Sequence, residues 1–253
     1  MISVSGVYKS YYRHLPHQKD VLKGVDLEIA DGETQFLLGG NGAGKTTLLR
    51  AISTLLPQDA GSITVNGFDA SSAPDMVKRS IGFFSVNTAL YERLTGFEFL
   101  QYFAGLYDLS HDRFIARLDE INRIFDLESC LKLDCSAMSS GQKQKCNIAR
   151  AVLHDPPVYI MDEPTTGLDV ESISGILDFI LYQRSQKKTL LIVTHNMEMV
   201  HKLGGRVAFL INGKIPHNLT VDEMIDQSGK NNLIDAYRFY ADAKYSQNNQ
   251  HCP

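Results

Sequence analysis

A chain of 253 residues with 43% hydrophobic and 9% aromatic residues carries enough apolar material for one large or two small domains. Its formal net charge of -4 gives no electrostatic ground for binding DNA, RNA or an anionic membrane surface, each of which calls for a basic patch, so no nucleic acid partner is expected. Cys130, Cys135, Cys146 and Cys252 lie in no metal-ligand spacing, and no apolar run approaches the ~20 residues of a membrane span, which points to free thiols in a reducing compartment and to a chain that reaches a membrane only through a partner.

In chain order, short apolar runs alternate with helical patterns, the signature of an α/β architecture with a largely parallel sheet. The first buried strand is "TQFLL" (34–38). It runs into "GGNGAGKTTLLR" (39–50), where Gly39, Gly44, Lys45 and Thr46 satisfy the pattern G-x-x-x-x-G-K-[ST], with a helical pattern opening immediately after it. Glycines let backbone amides turn toward phosphate groups, and a helix N-terminus adds its positive dipole end. Lys45 is placed to hold the β- and γ-phosphates of a nucleoside triphosphate, and Thr46 to ligate Mg2+.

A further strand is expected at "IGFF" (81–84), after which residues 88–154 lose strand patterning. Phe114, Leu118, Ile121 and Phe125 form a helical stripe, so this stretch is expected to be a mainly helical insertion between two parts of the α/β core. Near its end, "MSSGQKQKCNIARAV" (138–152) offers Ser139 or Ser140 as a helix cap, Gly141 for close backbone approach, and a helix with Ile148, Ala149 and Val152 on one side. That helix start is a second anion-binding candidate, although a simple capped helix with Lys143 and Lys145 in solvent fits the same residues.

The sheet resumes at "VYIM" (158–161), which delivers Asp162 and Glu163 to a strand end. If the strand persists, alternation sends the two carboxylates to opposite faces, Asp162 suiting a metal and Glu163 general-base work on a water. Ile173, Ile176, Leu177, Ile180 and Leu181 recur at helical spacing and make one face that can cover the sheet. "TLLIV" (189–193) is the next strand, with His195 just beyond it, where it can contact a γ-phosphate or orient a water. Asn212 and Gly213, between "LI" and "KIPH", mark a tight hairpin and an edge ribbon, and the chain after about residue 228 reads as a polar tail with a frayed end.

Taken together and in this order, "GGNGAGKTT", "MSSGQKQ", "VYIMDEP", "TGLD" and "TH" resemble the nucleotide-binding subunits of ABC transporters, a similarity that covers about residues 2–212. The resemblance implies a P-loop NTPase of ABC type: a RecA-like parallel-sheet core with an N-terminal antiparallel β part, and a helical subdomain bearing the signature motif. The expected division is 1–87 and 155–217 for the ATP-binding core, 88–154 for the helical subdomain and 218–253 for a C-terminal helical, polar tail.

By the same resemblance the chain binds ATP and Mg2+ and hydrolyses ATP to power transport, with export favoured, at the cytoplasmic face of a membrane through a separate permease. The phosphate loop then comprises Gly39, Gly40, Asn41, Gly42, Ala43, Gly44, Lys45, Thr46 and Thr47, with Thr46 and Asp162 at the metal, Glu163 as catalytic base and His195 as switch histidine. Ser139, Gly141 and Gln142 would act on ATP held by a second subunit, homodimer or heterodimer, with Asp169 at the same interface; Tyr11, or alternatively Tyr12, would stack on adenine. The pattern is broken where Gly40 replaces the usual proline, where Met138-Ser139-Ser140-Gly141 replaces Leu-Ser-Gly-Gly, and where Val86 stands in place of a glutamine that contacts Mg2+. Ser85, Asn87 or a water is the expected substitute at the last. An ABC-type ATPase uncoupled from transport and a regulatory subunit with little turnover are the rival readings.

Overall fold

The structure is a computed structural model that describes residues 1–85, 88–167 and 170–241. Two sheets organise it. β1 (Ile2–Tyr11), β2 (Lys19–Ile29), then β4 (Ala60–Val65) and β5 (Phe68–Asp69) form an antiparallel sheet in the order β2-β1-β4-β5. β3 (Thr34–Leu38), β6 (Ile81–Ser85), β7 (Val158–Asp162), β8 (Thr189–Val193), β9 (Arg206–Ile211) and β10 (Lys214–Thr220) form the second, in the order β10-β9-β3-β8-β7-β6. Its first five strands run parallel and β10 closes one edge antiparallel, as the Asn-Gly pair predicts: Asn212 and Gly213 have φ of 50° and 82°, the left-handed pair that a two-residue hairpin needs.

The helices are α1 (Lys45–Ile52), α2 (Pro74–Ser80), α3 (Gly96–Leu106), α4 (His111–Phe125), α5 (Glu128–Leu131), α6 (Ser140–Val152), α7 (Val170–Ser185), α8 (Met197–Leu203), α9 (Val221–Ser228) and α10 (Leu233–Ala241). The parallel strands separate two cores by alternation. Leu37, Ile160, Leu191, Val193 and Ala208 face α1 and the antiparallel sheet, whereas Phe36, Leu38, Met161, Ile192 and Phe209 face the helical side. All five residues of β3, β7 and β8 are therefore buried, which is why each strand carries an apolar run of three or four residues.

The α4 stripe is buried at Phe114, Leu118, Ile121 and Phe125, as its spacing predicts. The α7 face is shifted from expectation: Ile176, Leu177 and Ile180 are buried, but so are Phe179 and Gln183, while Leu181 is exposed. The helix is packed on both the sheet and α4, so its buried face rotates toward Phe179 and leaves Leu181 beyond its edge. The polar reading of the chain beyond residue 228 also changes, since α10 buries Leu233, Ala236 and Tyr240, and Tyr240 packs against Phe209 and His217. Cys130, Cys135 and Cys146 are buried free thiols; Cys252 falls outside the described residues.

Between α6 and β7, the His154 ring lies flat against Tyr107, with centroids 3.6 Å and planes 3° apart. Burial pushes its pKa from 6.5 down to about 4. The unfolded chain then accepts a proton that the folded chain refuses, so stability is intact above pH 6.5 and falls as the pH drops toward 4, by about 3 kcal/mol in all. His154→Phe removes that term. Between pH 6.5 and 4.5 the wild-type Tm is expected to fall further than that of His154→Phe by roughly 5–10 °C, measured by scanning calorimetry; parallel pH profiles would show that His154 is not the group responsible.

Candidate functional site

The site begins where β3 hands the chain to the glycine loop. A side chain at Gly39 would collide with the carbonyl of Leu210 on β9, and one at Gly44, whose φ is 108°, would crowd Val21 and Leu22 at 3.0 and 3.1 Å. Only glycine passes both points. At Gly40 and Gly42 a side chain would meet nothing within 4 Å, so the loop's outer face is open.

Gly44 caps α1 without a side-chain acceptor, and the first turn of α1 has no acid. α3, α6 and α9, in contrast, each open on a capping box, Thr95/Glu98, Ser139/Gln142 and Thr220/Glu223. The amide groups and dipole of α1 are thus left for an external anion.

A cleft of about 430 Å3 covers this helix start. Its lining takes Tyr11, Tyr12, Lys19 and Val21 from β1, β2 and their connection, Asn41 to Thr47 from the loop and α1, and Asp162, Glu163 and His195 from the ends of β7 and β8. Gly39 and Gly40 line an adjoining cavity of about 330 Å3 on the other side of the loop. Lys45 Nζ donates to the carbonyls of Gly39 at 2.7 Å and Gly40 at 3.2 Å. Burial lowers its pKa, with Glu163 and Asp162 opposing the shift by holding the charge on the amine.

Thr46 Oγ1 donates to Asp162 Oδ2 at 3.2 Å, so two hard oxygen donors from distant parts of the chain stand side by side. Burial raises the Asp162 pKa, and the Thr46 hydroxyl and then Lys45 pull it back. No group of three or more His, Cys, Asp or Glu suited to a metal occurs among the described residues. A cation at Thr46 and Asp162 must therefore draw the rest of its shell from phosphate oxygens and water, which is the habit of Mg2+.

The condition for opposite facing of the two carboxylates, a strand that persists through Glu163, is not met. β7 ends at Asp162, and Glu163 takes a left-handed φ of 54°, its amide donating to Val193 O at 2.9 Å. Alternation stops with the strand, and both carboxylates line the same cleft. Glu163 Oε2 accepts from the backbone amide of His195 at 3.3 Å and from Thr166 Oγ1 at 3.5 Å. Its other oxygen, Oε1, is buried without a hydrogen-bond partner among the described residues, 3.3 Å from His195 Nε2.

Tyr11 is half-buried with its hydroxyl 3.3 Å from Thr47 Oγ1, while the neighbouring Tyr12 is exposed and packs on His17 at 4.8 Å. Lys19 joins the lining because β2 pairs it with Tyr11, a register that no local pattern in the sequence reveals. Ser139, Gly141 and Gln142 are absent from the cleft lining; Ser139 Oγ and the Gln142 amide cap each other's backbone at the start of α6. Met138 is buried and Ser140 exposed, so the extra hydroxyl of the signature meets water. Val86, Asn87 and Asp169 lie outside the described residues.

The chain matches the ABC transporter family model over residues 22–166. It is 38% identical over 225 residues to the ABC transporter ATP-binding protein NatA of Bacillus subtilis, covering 87% of this chain and 92% of that protein. To the daunorubicin resistance ATP-binding protein DrrA3 of Streptomyces coeruleorubidus it is 35% identical, covering 90% of this chain and 71% of that protein. A solved ATP-binding subunit of an ABC transporter superposes with a TM-score of 0.86 at 31% identity, over 94% of this chain and 98% of the other. The dimeric ATP-binding cassette MJ0796, bound to ADP and Pi in a post-hydrolysis state, superposes with a TM-score of 0.78 at 26% identity, over 87% and 98%.

Proposed function

The chain belongs to the ABC transporter family as an ATP-binding subunit with ATPase activity, and from that premise we propose the residue roles by which it powers export through a permease supplied as a separate chain. The observation that carries the assignment is the convergence in one cleft of the Lys45 amine, the Thr46–Asp162 pair and the unpartnered Glu163 oxygen. Lys45, the amides of the 39–47 loop and the start of α1 take the phosphates of ATP, with Tyr11 as base platform. Thr46 and Asp162 would hold Mg2+, which neutralises charge on the phosphate oxygens. Glu163 accepts the proton of a water attacking the terminal phosphorus, and His195, whose amide and ring both approach that carboxylate, fixes its direction.

Ser139, Gly141 and Gln142, outside the cleft of their own chain, act on nucleotide bound by a second subunit; one chain carries both halves of such a composite site, which favours a homodimer. Among the described residues no helix is long and apolar enough to cross a membrane, so the permease is the expected anchor at the cytoplasmic face. Export is supported by relatives named for drug resistance and for Nod factor export. Affinity capture of this chain from mildly solubilised native membranes, with mass spectrometry of its partners, is expected to return a multi-span permease in stoichiometric amount. Capture of non-membrane partners alone would leave the ATPase standing and remove transport from its role.

A further inference from the structure

One buried position on α6 holds a polar residue. Asn147 is 3% exposed, on a helix that also buries Cys146, Ile148, Ala149 and Ala151. Its Nδ2 donates to the carbonyl of Thr88 at 2.8 Å, and its Oδ1 has no hydrogen-bond partner among the described residues. An amide buried with half of its capacity unused destabilises a fold relative to an apolar residue of similar size. The bond to Thr88 O is the one use this buried side chain makes of its polar atoms among the described residues, and it joins α6 to the segment that follows β6.

Two neighbours on the same helix make bonds of the same kind. Gln144 Nε2 donates to Pro164 O at 2.8 Å, and Arg150 Nη2 donates to Phe83 O at 3.0 Å. Residues 144, 147 and 150 are spaced by three, so they share one side of α6. Their acceptors are all backbone carbonyls that flank the two carboxylates of the site. Pro164 follows Glu163 directly. Phe83 and Thr88 lie on either side of Ser85, the β6 residue in register with Asp162 on β7, and the Thr88 amide donates to Ser85 O at 3.0 Å.

We propose that α6 is a bracket clamping the backbone around Asp162 and Glu163, with Asn147 as a positioning residue whose bond to Thr88 O makes the β6 side move with the Pro164 side. This deepens the ATPase reading and rests on it. Because the same rigid helix begins at the Ser139–Gln142 turn, a displacement of that turn by a second subunit is transmitted to both carboxylates, and their alignment depends on the turn being engaged. The acceptors are main-chain atoms, so the linkage depends on the α6 side chains and not on the identity of residues 83, 88 or 164.

Asn147→Ala in the full chain with its permease tests this. Turnover is expected to fall roughly ten- to a hundredfold, the scale of a small misplacement of catalytic groups, while KM for ATP stays within about twofold and Tm falls by a few degrees at most, the cost of leaving Thr88 O without its donor. Amide hydrogen exchange on the same variant, which needs no turnover, is expected to show loss of protection together at Thr88 and at Thr165 to Gly167. The proposal is overturned by wild-type kcat, by a KM that rises in step with the loss of kcat, by a lowered Tm with kcat intact, or by exchange that increases at Thr88 alone. Wild-type turnover measured beside Glu163→Gln reports separately on the ATPase reading.

Discussion

Glu163→Gln is expected to lower steady ATP turnover by about 10²- to 10⁴-fold, the range contributed by a positioned general base, while nucleotide affinity stays within a few-fold of wild type. The substitution keeps shape and hydrogen-bond acceptance. A glutamine oxygen can still receive the His195 amide now bonded to Glu163 Oε2 at 3.3 Å, and the left-handed backbone at φ 54°, anchored to Val193 O, makes no demand on the carboxylate. What is lost is the carboxylate Oε1, which has no hydrogen bond among the described residues and stands 3.3 Å from His195 Nε2, as the atom that can take a proton from water. Phosphate release and equilibrium nucleotide binding on the same preparation check the split. Undiminished release would place the base elsewhere in the cleft, and a parallel loss of affinity would mean that Glu163 binds ATP instead of activating water.

Lys45→Met separates binding from folding. Lys45 is 9% exposed, and its amine is satisfied by the carbonyls of Gly39 and Gly40 at 2.7 and 3.2 Å. A buried cation with carbonyl partners is no bargain for the apo fold, as its downward pKa shift records, and an apolar residue of similar length in its place is expected to leave the apo Tm unchanged or slightly higher. For a triphosphate the lysine is a cation of the cleft lining, and removing one member of such a buried pair costs about 3–5 kcal/mol, or roughly 10²- to 10⁴-fold in Kd. Differential scanning fluorimetry with and without MgATP reads both effects: ATP raises the wild-type Tm by mass action and leaves that of Lys45→Met where it was. An equal ATP-induced shift in both proteins would remove Lys45 from the phosphate site, and a large drop in the apo Tm would assign it to the fold.

Much of this architecture is legible without coordinates, because the informative stretches are contiguous. Thr34–Leu38, Val158–Asp162 and Thr189–Val193 each carry three or four apolar residues in a row, since a parallel sheet covered on both faces buries every residue. The Asn212-Gly213 turn and the glycine loop are equally local, because each is set by backbone conformations that few residues other than glycine and asparagine adopt. Sequence reasoning fails where an element's environment comes from elsewhere. Leu181 fits the α7 stripe by spacing, but the stripe is aimed by α4 and the sheet together. The α10 stretch LIDAYRFYA is apolar or aromatic at seven of its nine positions, a local signal that the polar reading of the tail passes over, and Phe209 and His217 give it its docking surface.

What the sequence by itself determined was the inventory of chemistry: a loop that only glycine can build, an uncapped helix start behind it, and acids and a histidine at strand ends. The tertiary structure decided how those groups act on one another. Thr46 meets Asp162 across 116 positions of chain, His195 meets Glu163 across 32, and Asn147 reaches Thr88 across 59. Local patterns record backbone preference and which faces are apolar, whereas distances between remote side chains follow from how those faces pack, a sum over many weak and non-directional contacts that no short stretch encodes. The turn at Glu163 shows the boundary between the two: alternation places Asp162 correctly up to the last residue of the strand, and one left-handed φ, held by a hydrogen bond to the next strand, decides where its neighbour points.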